Sequence, residues 1–267
     1  MSSLFESLVE NSMSLIADEP GDETAMVLKE ADIYTDAEES AEPKFKLDLN
    51  DKDIILEELQ DLMRYSRIGK VKVLQLDKNA FGDAGAALLA DSARLFKVVS
   101  LSLGFNKIGD SGAAALAESA HLSRLRKLFL QGNLIGPAGI EALANSETLT
   151  HLEVLYLKTN PLGPRGVIAL AQSSSLKQIK ELYLGNTGLG FQGLRALCET
   201  QILSQATLLS LPNNGLDDRV AAVLAGCPAL GQLITLDLCG NRLSDEAVAA
   251  IKASPNLGRL RALQVDW

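Results

Sequence analysis

The chain has 267 residues, of which 47% are apolar and 22% charged, and a net charge of −9, ordinary values for one elongated soluble domain with an appendage. The charge is uneven: residues 1–42 hold 12 acids against Lys29 alone, whereas residues 71–267 hold 18 Lys/Arg against 16 Asp/Glu. That balance excludes the clustered basic surface that nucleic-acid binding needs. Three cysteines, Cys198, Cys227 and Cys239, are too few and too odd in number for a disulfide framework, and they lack metal-ligand spacing. The first twenty residues show no basic start followed by an apolar run. No apolar stretch approaches the roughly 20 residues of a membrane span. The expected compartment is the cytoplasm, with export by an unrecognised signal left open.

The first element is residues 1–47, an acidic tail expected to be largely disordered because it has few aromatics and a high charge. Within it, residues 3–16 carry Leu4, Phe5, Leu8, Val9, Leu15 and Ile16. They read either as a short amphipathic docking helix or as a frayed terminus. Residues 48–70 follow as a helical N-terminal cap. Their helix, 49–67, is expected to open at Asn50 or Asp51 and to lay Ile54, Ile55, Leu56, Leu59, Leu62 and Met63 over the first repeat.

From residue 71 one phrase recurs. Asn79, Asn106, Asn133, Asn160, Thr187, Asn214 and Asn241 fall 27 residues apart, six intervals in a row without an insertion. A fixed period of this length outranks local propensity as a fold signal. In each unit two leucines alternate with outward residues, as in Leu128-Phe129-Leu130, which is strand periodicity. Asn133 then ends the strand, and its amide suits the orphaned backbone groups of a turn. Ile140, Leu143 and Ala144 share one face of a helix that Pro137 opens. Asp83, Asp110, Asp218 and Asp245 occupy the Pro137 position elsewhere, where an acid is expected to cap orphan N–H groups and complement the helix dipole. The recurring Gly85, Gly112, Gly139, Gly166 and Gly193 imply close packing of neighbouring helices; Val220 and Ala247 replace them at the end, where packing should loosen. In the fifth unit Thr187 is expected to leave a gap in the amide ladder, unless a register shift lets Asn186 fill it.

The phrases LSLGFNKIGDSGAAALAESAHL and LFLQGNLIGPAGIEALANSETL resemble leucine-rich repeats, of the ribonuclease-inhibitor-like class. The resemblance covers residues 71–267, as seven 27-residue repeats and a final strand. It implies an α/β fold: a right-handed leucine-rich-repeat solenoid, a horseshoe arc with parallel strands on the concave face and helices on the convex face. Strands about 4.8 Å apart stacked beside helices 8–10 Å apart impose that curvature.

The same period assigns the concave column Gln75, Ser102, Phe129, Tyr156, Tyr183, Ser210, Asp237 and Gln264. Aromatics make up only 4% of the chain, yet three stand consecutively here. The expected partner-binding set is Phe129, Tyr156, Tyr183, Lys127, Lys158, Gln131 and Leu208, an aromatic patch with a charged rim. The competing reading is that the rings simply stack across strands. No catalytic residue, metal or cofactor is expected: His121 and His151 fall in loops, Cys198 in a core column, and Cys239 on the concave face with nothing to lower its pKa. The expected function is a noncatalytic scaffold for a protein or peptide. The alternatives are a GTPase-activating protein for a small GTPase, to which the repeat class is similar, and a bacterial effector or inhibitor acting by binding. Two further expected contacts are the acidic tail, or residues 3–16, against the concave patch and self-association through the C-terminal strand, residues 260–267.

Overall fold

A computed structural model of the chain describes residues 3–16 and 44–266. The acidic stretch expected to be disordered and to reach the concave patch, residues 17–43, lies outside the described residues.

The repeats form strands β3 (Val71–Gln75), β4 (Ser100–Ser102), β5 (Lys127–Phe129), β6 (Val154–Tyr156), β7 (Glu181–Tyr183), β8 (Leu208–Ser210), β9 (Thr235–Asp237) and β10 (Ala262–Gln264). Each pairs in parallel with the next at a 27-residue offset, as in Leu101↔Leu128 and Tyr156↔Tyr183. Helices α3 (Gly82–Ala90), α4 (Asp110–Glu118), α5 (Pro137–Ala144), α6 (Gly163–Ala171), α7 (Gly190–Glu199), α8 (Arg219–Ala225) and α9 (Asp245–Lys252) cross over between them. One continuous apolar core runs between the two layers from Phe5 to Leu257.

The asparagines form the expected ladder, and every rung reaches toward the N-terminus. Asn133 Nδ2 donates to Leu103 O and Leu130 O, both at 2.9 Å. Its Oδ1 accepts from Asn106 N and Ile108 N, both at 3.0 Å. Thr187 breaks the series. Its hydroxyl lies 2.8 Å from Leu184 O and 3.2 Å from Asn214 Oδ1 and makes no bond to the preceding repeat, and Leu162 N turns instead to Asn160 O at 2.9 Å. Asn186 does not substitute. It holds φ 53° at the strand exit, a left-handed position shared by Thr159 and Phe105 and taken freely by Gly132 and Gly240. An amide there points to solvent.

The aspartates do not cap their own helices. Asp110 Oδ1 accepts from Gly136 N at 2.6 Å and Gly139 N at 2.9 Å, both in the next repeat. Asp83 does the same for Gly109 and Gly112. This explains the helix glycine: a Cβ on Gly139 would stand 2.7 Å from Asp110 Oδ1 and 2.9 Å from Asp110 Cα. Gly139→Ala is expected to cost about 2 kcal/mol, since backbone must move. Denaturant unfolding measures it, and an unchanged midpoint would contradict the packing account. Where Val220 and Ala247 replace glycine, α8 and α9 pack on their neighbours along fewer residues than α3 to α7 do.

A second ladder was not anticipated. Ser119, Ser146, Ser173 and Ser254, all in register with the period, donate their hydroxyls to Ala90 O, Ala117 O, Ala144 O and Ala225 O at the C-terminus of the preceding helix. Those carbonyls have no intrahelical partner. Thr200 occupies this column in the fifth repeat but turns back to Leu197 O at 3.3 Å.

The N-terminal region departs most from expectation. Strand β2 (Phe45–Asp48) lies where a disordered tail was expected, and it pairs in parallel with β3 through Lys46↔Val73 and Leu47↔Leu74. Helix α2 (Leu56–Arg64) starts later than Asn50 or Asp51, with Glu58 accepting from Ile55 N at 3.1 Å. It buries Leu59, Leu62 and Met63 beside α3, leaving Ile55 and Leu56 exposed. Residues 45–70 thus form one more strand–turn–helix unit rather than a helix laid across the first repeat. Residues 3–16 are ordered against this unit. Helix α1 (Ser3–Asn11) buries Phe5 and Val9, and β1 (Met13–Leu15) pairs antiparallel with β2. Arg67 fastens them, 2.6 Å from Glu10 and 5.0 Å from the Phe45 ring centroid.

Candidate functional site on the concave face

The pairing β3 to β10 places the concave column as the period implied, Gln75 beside Ser102 and on through Phe129, Tyr156, Tyr183, Ser210, Asp237 and Gln264. Which of these side chains remain open is another matter. Phe129 and Lys127 are each only 9% exposed, so neither belongs to an open patch or a charged rim. Tyr156, Tyr183, Glu181, Gln131 and Leu208 are half-buried, and Lys158 is exposed. The accessible set is therefore shifted toward β6, β7 and β8.

The rings do stack. Tyr156 and Tyr183 lie 4.3 Å apart with planes 23° from parallel, and Phe129 sits 6.0 Å from Tyr156 at 35°. Pairs of this kind contribute about 0.2–1 kcal/mol each. The stack fixes ring orientation and leaves each phenol to its own surroundings. Tyr183 Oη donates to Glu181 Oε2 at 2.8 Å. Burial, then the Glu181 charge, pushes the Tyr183 phenol well above its ordinary range. Burial and the Asp237 carboxylate push Tyr156 the same way. Both rings therefore stay neutral donors. Asp237 in turn accepts from Ser210 Oγ at 2.8 Å.

A polar cluster adjoins the stack on β3 to β5. Asp77 accepts from Ser102 Oγ at 2.6 Å and Gly104 N at 2.7 Å. Burial raises its carboxyl above the ordinary value against the pull of those two bonds. Gln131 lies across Gly104, where a Cβ would meet its Nε2 at 2.4 Å, and that amide reaches Asp77 at 3.4 Å. Gln131 is thus committed to the cluster rather than presented to a partner. Two apolar side chains that the column reading passed over stand at the C-terminal edge of the sheet. Phe105 is 50% exposed with its ring against Gly132, and Leu134 is 62% exposed. Both lie one residue from a ladder asparagine, at positions the strand pattern does not score.

Cys198 is half-buried rather than fully in the core, and Cys227 is buried. Burial, then the Asp237 hydrogen bond, raises the Cys239 thiol. His121 is half-buried, and His151 is exposed with Nδ1 3.3 Å from Thr150 Oγ1. Among the described residues no group of three or more His, Cys, Asp or Glu is placed to hold a metal. No described helix is long and apolar enough to cross a membrane.

Parallel strands joined by helical crossovers at a constant offset, one rung of asparagine per unit, define a β/α solenoid of the horseshoe type. Residues 70–90, 95–117 and 148–171 match the family model described as Leucine Rich repeat, and the chain is a leucine-rich-repeat protein. An internalin (inlF) from Listeria monocytogenes is similar in fold, with 22% identity, a TM-score of 0.53, and coverage of 82% of this chain and 54% of that one. The chain thus spans about half the length of that structure. The TLR13 chain of a TLR13–ssRNA13 complex aligns at 20% identity and a TM-score of 0.46, over 78% of this chain and 30% of that one. No curated protein matches.

Proposed function

We propose that the chain is a noncatalytic scaffold that binds a protein or peptide on its concave face, centred on Tyr156 and Tyr183. The observation that carries this is the stacked tyrosine pair. It is a rigid, half-buried aromatic surface in the middle of an open sheet, with two neutral phenols and with Lys158, Glu181 and Leu208 around it. Rigid aromatics lose little entropy on binding and dominate interface energetics. Phe129, beside Tyr156 on the neighbouring strand, supports the stack rather than contacting the partner.

The test is affinity capture of a partner with the wild-type chain, followed by titration of that partner against Tyr156→Ala/Tyr183→Ala. The double variant is expected to bind at least 100-fold more weakly, as hot-spot truncation costs about 2–4 kcal/mol. Its circular dichroism should match wild type. An unchanged dissociation constant would place the binding surface elsewhere.

A further inference from the structure

In the hydroxyl ladder each rung joins a serine to an alanine carbonyl, yet one rung is built from two cysteines. Cys227 stands in the serine column, with Cys198 in the alanine column opposite. Cys227 Sγ lies 3.6 Å from Cys198 O, the position Ser254 Oγ takes on Ala225 O. Each thiol shifts the titration of the other. Cys227 is 2% exposed, while Cys198 at the end of α7 is half-buried.

The rung sits where the array is otherwise weakest. The asparagine ladder fails at Thr187 and the hydroxyl ladder at Thr200, both in the repeat that carries α7. Val220 replaces the packing glycine in the repeat that carries α8, and α7 and α8 meet along fewer residues than neighbouring helices from α3 to α7 do. A covalent link here joins two repeats whose helices pack less extensively than those from α3 to α7.

We infer that Cys198 and Cys227 form a reversible disulfide between the fifth and sixth repeats, made by a hydroperoxide and undone by a thiol reductant. The oxidant meets Cys198, the less buried of the two residues. Its O–O bond breaks, hydroxyl passes to Cys198 Sγ as a sulfenic acid, and the thiol proton leaves with the departing oxygen as water or alcohol. Cys227 Sγ then attacks that sulfur, the S–S bond forms, and hydroxide departs with the Cys227 proton as water. Two thiols lose two electrons and two protons, and the hydroperoxide is reduced. The Cys227 hydrogen bond and burial push the Cys198 thiol up, whereas the Cys198 hydrogen bond and the N–H groups of Ala229 and Leu230 pull Cys227 down. The first step needs the Cys198 thiolate and therefore quickens as pH rises.

The experiment treats the full chain with hydrogen peroxide and maps its peptides without reduction. The expected product joins the peptides of Cys198 and Cys227 with loss of two hydrogens. Melting should rise by about 5 °C through closure of the intervening loop, and dithiothreitol should reverse it. Cys227→Ser and Cys198→Ala install the residues other rungs hold, so both should fold, melt near the reduced wild type and show no rise. The inference is overturned if Cys198 and Cys227 remain separate thiols or become sulfinic acids. It is equally overturned if either pairs with Cys239, if the link forms without a rise in melting, or if Cys227→Ser keeps the rise.

Discussion

Asn133→Ala is expected to lower stability by about 4 kcal/mol or more. The side chain is 3% exposed and makes four bonds, two as donor and two as acceptor. Its removal strands four backbone groups in a dry turn, at about 1–3 kcal/mol each before any water enters. Asn133→Asp keeps the acceptor and loses the donors, so it should fall between. The reciprocal substitution is Thr187→Asn. It supplies a second donor to Leu157 O, which already accepts from Asn160 Nδ2 at 3.0 Å, and the acceptor for Asn160 N, and about 1–2 kcal/mol of added stability is expected. Equilibrium unfolding of the three variants checks the ladder account; a neutral Asn133→Ala would sink it.

Val9→Asp is the second large effect. Val9 is fully buried under α1, although it stands at the start of the chain in a segment that reads as a frayed end. An unpaired carboxylate there is expected to cost about 3–5 kcal/mol, or to undock α1 and β1 together. Undocking bares the edge of β2 and invites pairing with other chains. Leu4→Asp, on a residue 83% exposed in the same helix, should change little. Thermal melting with light scattering distinguishes the pair, and equal melts for both variants would show that α1 does not cap the solenoid.

The N-terminal unit shows why part of the fold escaped a sequence reading. Leu47, Leu49 and Ile54 keep the period, but Lys52 stands where asparagine belongs. The ladder explains the replacement. Each asparagine reaches back to the preceding repeat, and the unit of β2 has no parallel neighbour before it. Asn79 serves it instead, through Leu49 O at 2.9 Å and Ile54 N at 3.0 Å. The missing asparagine thus marks the first turn of the array rather than its absence. The hydroxyl ladder was legible in principle, since Ser119, Ser146, Ser173 and Ser254 share the period. Serine in a loop is common enough that spacing alone gave no reason to single it out.

The candidate site was half legible. The column of Phe129, Tyr156 and Tyr183 followed from strand alternation, because side-chain direction along a strand is fixed by the backbone. Its exposure did not follow. On a concave surface side chains converge, so Phe129 and Lys127 are covered by neighbours on adjacent strands, while Tyr156 and Tyr183 keep an open edge.

The amino-acid sequence by itself determined the solenoid, its register and the gap at Thr187, because a 27-residue period dictates which side chains repeat in space. The tertiary structure decided what lies between repeats: Asp110 bonding the next helix, Cys227 meeting Cys198, α1 closing the N-terminal end, and the stack that leaves two tyrosines open. Those contacts join residues that local patterning does not link, and they depend on the curvature and separation of neighbouring units, which appear only when the units are stacked.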